Sequence, residues 1–130
     1  MTLKNVRLEL ARAPEHPAGS DRHGYEVLAP LDAEGHIDLE EYRKRREECR
    51  VWRFWNGEDD EFGHLLHTRG GSWAFHYDIE GDPDGDDAGF RFDQHRFVEG
   101  EYVSIREADG ELHTFQVVAV RSAQLHPLPR

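Results

Sequence analysis

The sequence predicts a mainly β fold: a small closed or partly open antiparallel β-barrel or roll with one α-helix. Short runs in which apolar and polar residues alternate follow one another closely along the chain, which is typical of small barrels. Three Trp, four Tyr and seven Phe supply large side chains for a core. At 130 residues the chain has a common domain size, so we expect one domain over residues 1–130.

The first two strands are predicted near the start of the chain. Val6, Leu8 and Leu10 alternate with other residues, as in a half-buried strand. The Pro- and Gly-containing segment 13–23 is predicted to be a loop. A second strand is expected over residues 25–29, where the following proline ends it.

One helix is predicted over about residues 39–49. Asp38 is a favourable N-cap, and Glu41 lies three residues further on, the spacing of a capping box. The apolar face is thin, so we expect the helix to lie across a barrel mouth or a sheet edge. Its members at helical spacing are Leu39, Tyr42, Arg46 and Cys49.

Strand patterns dominate the rest of the chain. The last hairpin turns at Asp109–Gly110, where loops of two or three residues are both common. The three-residue loop pairs Val103 with Phe115 and gathers apolar side chains on one face, so we favour it. The six strands predicted after the helix cover residues 50–55, 64–68, 72–78, 90–93, 101–107 and 112–121.

The central hairpin carries three histidines, and its register decides which of them meet. A two-residue turn at Gly70–Gly71 places His67 and His76 diagonally on one face. Asp78 then lies further along the same side. A three-residue loop instead sets His64 directly opposite His76. We favour the two-residue turn because it collects the large apolar side chains on the other face.

In the favoured register, His67, His76 and Asp78 are candidate metal ligands. Two imidazoles and a carboxylate suit Zn²⁺, or Fe²⁺ in a facial triad. Their spacing matches no named motif, so histidines that merely decorate the sheet surface remain an alternative. No other cofactor is predicted.

The segment 78–87 contains six carboxylates in ten residues. It does not fit a calcium-binding helix–loop–helix motif. With Glu80 at the first position, the twelfth position, which needs a bidentate glutamate, is Arg91. A weak Ca²⁺ or Mg²⁺ site and a solvated hairpin tip are both open, and any site is expected at the base of the loop, near Asp78.

Aromatic residues fall on both faces of the predicted strand 50–55. Trp52, Phe54 and Trp55 are therefore candidates for a ligand or partner surface, since aromatic side chains are enriched at interfaces. The alternative is a strand that is buried on both sides.

The charge balance excludes some partners. The formal net charge of −11 opposes binding to phosphate backbones and to anionic membranes.

Cys49 is the only cysteine, so no intrachain disulfide can form. The N-terminus does not resemble a signal peptide, and no apolar run approaches the roughly 18 residues of a membrane span. We therefore expect a cytoplasmic protein.

Four segments, 22–26, 29–32, 71–78 and 100–105, resemble a family of short proteobacterial proteins with no assigned function. The resemblance runs over most of the chain. It implies a bacterial, cytoplasmic setting and brings no activity, cofactor or catalytic residue with it.

No nucleophile elbow, zinc-protease motif or phosphate-binding loop occurs in the sequence. We therefore predict a non-catalytic binding or accessory module with a protein partner, or a homo-oligomer. The alternative is a metal-binding protein or metal-dependent enzyme that uses the His67, His76 and Asp78 set. Mimicry of nucleic acid by the acidic surface is a third, more distant possibility.

Overall fold

The computed structural model describes residues 3–13, 15–67, 73–77, 86–87, 96–106 and 111–122. These residues form one antiparallel sheet and one short helix, which confirms the predicted mainly β fold. The strands are β1 (Leu3–Arg12), β2 (Ser20–Pro30), β3 (Arg50–Trp55), β4 (Glu61–His67), β5 (Trp73–Tyr77), β6 (Asp86–Asp87), β7 (Tyr102–Arg106) and β8 (Leu112–Ser122). The helix is α1 (Leu39–Arg45), followed by one 3₁₀ turn (Arg46–Glu48).

The sheet order is β6-β5-β4-β3-β2-β1-β8-β7. Strands that are consecutive in the chain lie side by side, except β6 and β7, which lie at opposite edges because β8 pairs with β1. Among the described strands, β6 and β7 form the two edges. The sheet is therefore a half-barrel, the partly open form of the predicted architecture.

Large side chains fill the concave face of the half-barrel. Tyr25, Phe75 and Phe115 are fully buried there. The ring centroid of Tyr25 lies 5.0 Å from that of Phe75 and 5.2 Å from that of Phe115. Because these rings come from β2, β5 and β8, they join the two halves of the curved sheet across its interior.

Helix α1 packs against β4 and β5. The side chain of Asp38 accepts a hydrogen bond from Glu41 N–H at 3.0 Å, so the predicted cap forms. The Asp38 N–H donates to Pro30 O instead, so the capping box is not reciprocal. Tyr42 is the buried anchor of the helix, since its hydroxyl donates to Leu65 O at 2.8 Å and its ring meets Trp73 edge-on.

The register of the last hairpin is as predicted, with Val103 opposite Phe115. The favoured register of the central hairpin was wrong, because His64 lies opposite His76 and Leu65 opposite Phe75. The observed register buries Leu65, Trp73 and Phe75 together on the concave face, beneath α1. The other register would have left Leu65 outside this core.

The predicted loop 13–23 is shorter than expected. Strand β2 begins at Ser20, because an irregularity after Glu9 lets Leu10 pair with Ser20. The predicted strand 90–93 and residues 78–85 of the acidic segment lie outside the described residues. The last two residues of that segment form β6, which pairs with β5.

Candidate functional site

The observed register separates the two predicted metal-ligating histidines. His67 lies on the concave face, where its ring centroid is 4.7 Å from that of Trp73. His76 points to the convex face with its partner His64. Asp78 lies outside the described residues. Within the described part of the chain, no group of three His, Cys, Asp or Glu side chains is close enough to hold a metal ion.

The predicted aromatic surface is divided between the two faces of β3. Trp52 and Phe54 point to the convex face, while Trp55 points to the concave face beside Val51. Phe54 is buried, and the two tryptophans are half-buried. These three side chains therefore do not form one continuous surface.

The convex aromatic cluster is covered by a charged network. The Arg7 guanidinium carbon lies 4.4 Å from the centroid of the Phe54 ring. Arg7 also forms ion pairs with Glu9 at 2.7 Å and with Glu26 at 2.8 Å. Glu26 is only 6% exposed and accepts a further hydrogen bond from Asn5. Phe54 is thus covered by Arg7 within the fold, while its neighbour Trp52 is half-buried.

A second cluster lies at the end of the half-barrel where β3 finishes. The ring of His23 contacts Trp55 edge-on at 4.6 Å and His16 at 4.5 Å, measured between ring centroids. Nδ1 of His23 lies 2.7 Å from the hydroxyl of Ser20. Arg53 lies over the other side of the cluster, with its guanidinium carbon 4.5 Å from the Trp55 ring.

A Ser–His pair raises the question of nucleophilic catalysis. In the described residues, no carboxylate is hydrogen-bonded to the His23 ring, so the group that would orient a catalytic histidine is missing. Cys49 is no better as a nucleophile, because burial raises the pKa of its thiol to about 12. Neither Ser20 nor Cys49 therefore belongs to an assembled nucleophilic centre within the described residues.

The exposed apolar side chains gather on the edge hairpin. Of the large apolar residues in the described ranges, those that are exposed are Tyr102 (59%), Leu112 (57%) and Val118 (37%). All three point away from the core, on the convex side of β7 and β8. We call this surface the edge face, and its members are Tyr102, Ser104, Arg106, Leu112, Thr114, Gln116 and Val118.

Two open clefts border the edge face. The first, of about 710 Å³, lies beside Tyr102 and Thr114 and is closed on its other side by Ala11, Ala13 and Pro17. The second, of about 580 Å³, lies beside Gln116 and Val118 and is bounded by Gly19 and Ser20. Both volumes are in the range of ligand-binding clefts. The turn between β1 and β2 therefore forms a wall of each cleft.

The sequence analysis did not identify the edge face. A signal was present, because Leu112 and Val118 fall among the polar positions of β8, two or four residues from Thr114 and Gln116. Their exposure also depends on the strand order, which places this hairpin at the edge of the sheet. No local pattern reports strand order.

Comparisons with protein-family models, with curated proteins and with solved structures give no match to the chain. The resemblance to a proteobacterial family stays a prediction. None of the helices within the described ranges is long and apolar enough to cross a membrane.

Proposed function

We propose that this chain is a non-catalytic binding module that holds an extended segment of a basic partner protein on its edge face. The observation that carries the proposal is that Tyr102, Leu112 and Val118 are exposed and all point to the convex side of the edge hairpin. Exposed large apolar side chains on one face are a feature of interaction surfaces.

The position of β7 favours an extended partner. Among the described strands, β7 pairs only with β8, so its alternate N–H and C=O groups point outward. A partner strand can pair with such an edge through its backbone while its side chains enter neighbouring clefts. The cleft beside Tyr102 and Thr114 is placed to receive one of these side chains.

The charge of the chain favours a basic partner over a second copy. Two copies, each with a net charge of −11, repel one another. Two exposed carboxylates, Glu99 and Glu101, lie just before β7. Arg12 borders the first cleft, so we expect the partner to place an apolar or acidic side chain there and its basic side chains elsewhere.

A bacterial, cytoplasmic setting and membership of the resembling family belong to this proposal. The metal-binding alternative is not favoured in the form that uses His67 and His76, since these two side chains lie on opposite faces and His64 is the residue opposite His76. Mimicry of nucleic acid would depend on the same negative charge. The two proposals differ in their consequence, because a mimic of nucleic acid would compete with DNA for the same basic partner.

Calorimetric titration with synthetic peptides tests the proposal. One peptide of about ten residues alternates valine and lysine, and its control alternates valine and glutamate, so that both can add as a strand. We expect the basic peptide alone to bind, and its affinity to fall as salt is added. Tyr102→Ser and Val118→Ser should each weaken binding at least tenfold, whereas Lys44→Ser, at an exposed position on helix α1, should not.

Two results would overturn the proposal. The first is an absence of binding by the basic peptide at low salt. The second is binding that Tyr102→Ser and Val118→Ser leave unchanged. Sedimentation over a concentration series tests whether a second copy of the chain occupies the edge face. Self-association that Tyr102→Ser abolishes would identify a second copy instead of a basic partner.

A further inference from the structure

The turn between β1 and β2, which comprises Ala13 and residues 15–20, borders both clefts of the edge face. Its backbone is organised around His16. Ala13 and His16 exchange two backbone hydrogen bonds of 3.1 and 2.9 Å, and Gly19 N–H donates to His16 O at 2.9 Å. The position of His16 therefore determines the position of the turn, which is the wall that the two clefts share.

The His16 side chain rests on His23, which belongs to β2. His23 is only 5% exposed, and its ring packs between His16 and Trp55. The same ring lies 2.7 Å from the Ser20 hydroxyl, at the end of the turn. The Ser20 oxygen also accepts from Arg22 N–H, and its own proton can be donated to Nδ1 when His23 is neutral and carries its proton on Nε2. His23 thus contacts the turn at His16 and at Ser20.

A positive charge on His23 is disfavoured by its surroundings. Burial lowers the pKa of His23 first, and the neighbouring His16 and Arg53 lower it further. Glu58 opposes this effect, but its carboxylate is engaged by Arg53 at 3.1 Å. The other groups around the ring are the Ser20 hydroxyl and Trp55, with His113 on β8 at 5.6 Å from Trp55.

We propose that the His16–His23 pair, whose rings are in tilted contact, is a protonation-sensitive latch on the wall of the two clefts. Neutral His23 holds the turn closed through His16 and Ser20. Protonated His23 must regain solvent and move away from Arg53, so it leaves His16 and the turn loosens. Because the turn is a wall of both clefts, the edge face then releases its partner on mild acidification, a consequence that rests on the proposed function.

The direction of the pH dependence follows from the depressed pKa of His23. When the turn is open, His23 lies in solvent and takes up a proton as the pH falls below its ordinary pKa of about 6.5. When the turn is closed, the pKa of His23 is lower, so it takes up the proton only at lower pH. The closed turn is therefore fully favoured above about pH 6.5. Its advantage decreases as the pH falls from that value toward the folded pKa.

Amide exchange and ring titration by nuclear magnetic resonance on the full chain test the latch. We expect His23 to titrate below 6.5. From pH 7 to pH 5, after correction for intrinsic rates, the exchange of Gly19 and His16 amides should rise at least tenfold. In His23→Asn, whose side-chain oxygen replaces Nδ1 but cannot be protonated in this range, the exchange should be independent of pH. His36→Gln, which removes a half-buried histidine from the loop after β2, should behave as the parent chain.

A His23 titration at or above 6.5 overturns the latch, as does an equal acid response in the parent chain and His23→Asn. The ring titration needs no variant, so it can overturn the latch even if His23→Asn does not fold. The valine–lysine peptide is then titrated at both pH values. The latch predicts that binding is weaker at pH 5 in the parent chain but not in His23→Asn. Binding by the parent chain that does not depend on pH contradicts it. An absence of binding at either pH refutes the proposed function and leaves the exchange result as the separate test of the latch.

Discussion

The ring of Phe54 lies over Gly24, its cross-strand neighbour on β2. A Cβ atom at position 24 would stand 3.0 Å from Phe54 Cζ and 1.9 Å from the carbonyl oxygen of Leu8. Glycine thus provides the space in which an aromatic ring covers the backbone of the neighbouring strand. The Arg7 guanidinium then covers the ring, so the convex face of this part of the sheet is closed.

Gly24→Ala should destabilise the protein by about 3 kcal/mol, because the new methyl group meets backbone that cannot give way without moving β1. Gly57→Ala is the matched control. Gly57 has a positive φ of 90°, but a Cβ there meets nothing within 4 Å, so its cost is about 1 kcal/mol of backbone strain. Urea unfolding measures both values. Equal losses in the two variants would show that Gly24 is not crowded.

The success of the sequence-based predictions depended on how far the local pattern constrains each element. The last hairpin could be predicted because only one register puts Val103 and Phe115 on the same face. The central hairpin could not, because Leu65 and Leu66 are adjacent and either can face inward. The choice is made by Tyr42 and Trp73, which meet over Leu65 through tertiary contacts.

The same reasoning applies to the functional surface. Alternation along β3 separates Trp55 from Trp52 and Phe54, but it does not reveal that Arg7 of β1 covers Phe54. The exposure of Tyr102 likewise depends on a strand order that local periodicity does not report.

Tyr42→Phe removes the hydroxyl that donates to Leu65 O in the core. We expect a loss of about 1.5 kcal/mol in the free energy of unfolding, because the buried carbonyl loses a partner. Tyr102→Phe, at an exposed position, should change stability by less than about 0.5 kcal/mol. Chemical denaturation distinguishes the two, and an unchanged Tyr42→Phe would mean that the hydrogen bond contributes nothing to the docking of α1.

Glu26→Gln should destabilise the convex network by about 2 kcal/mol. The Glu26 carboxylate accepts from Arg7 and from Asn5, both at 2.8 Å, and an amide cannot accept from both through the same two atoms. Glu48→Gln, which alters the solvent-exposed pair with Arg45, is the control and should leave the unfolding midpoint unchanged. A neutral result for Glu26→Gln would show that solvent screens this network as it does the surface pair.

Cys49 should resist alkylation in the folded protein. Burial raises the pKa of its thiol to about 12, and its Sγ lies 3.5 Å from Arg45 O. Reaction with iodoacetamide at pH 8 should therefore be at least about a hundredfold slower than in the same protein unfolded by guanidinium. Comparable rates would indicate that the end of α1 opens readily.

The proposed function is tested most directly by mapping where a basic strand binds. The chain, labelled with ¹⁵N, is titrated with the valine–lysine peptide, and backbone amide shifts are followed along β7 and β8. The account predicts the largest shifts in Tyr102–Arg106, new exchange protection of outward-facing β7 amides, and little change in β3 or β4. Shifts centred on β3 or on α1, with β7 unaffected, would contradict it.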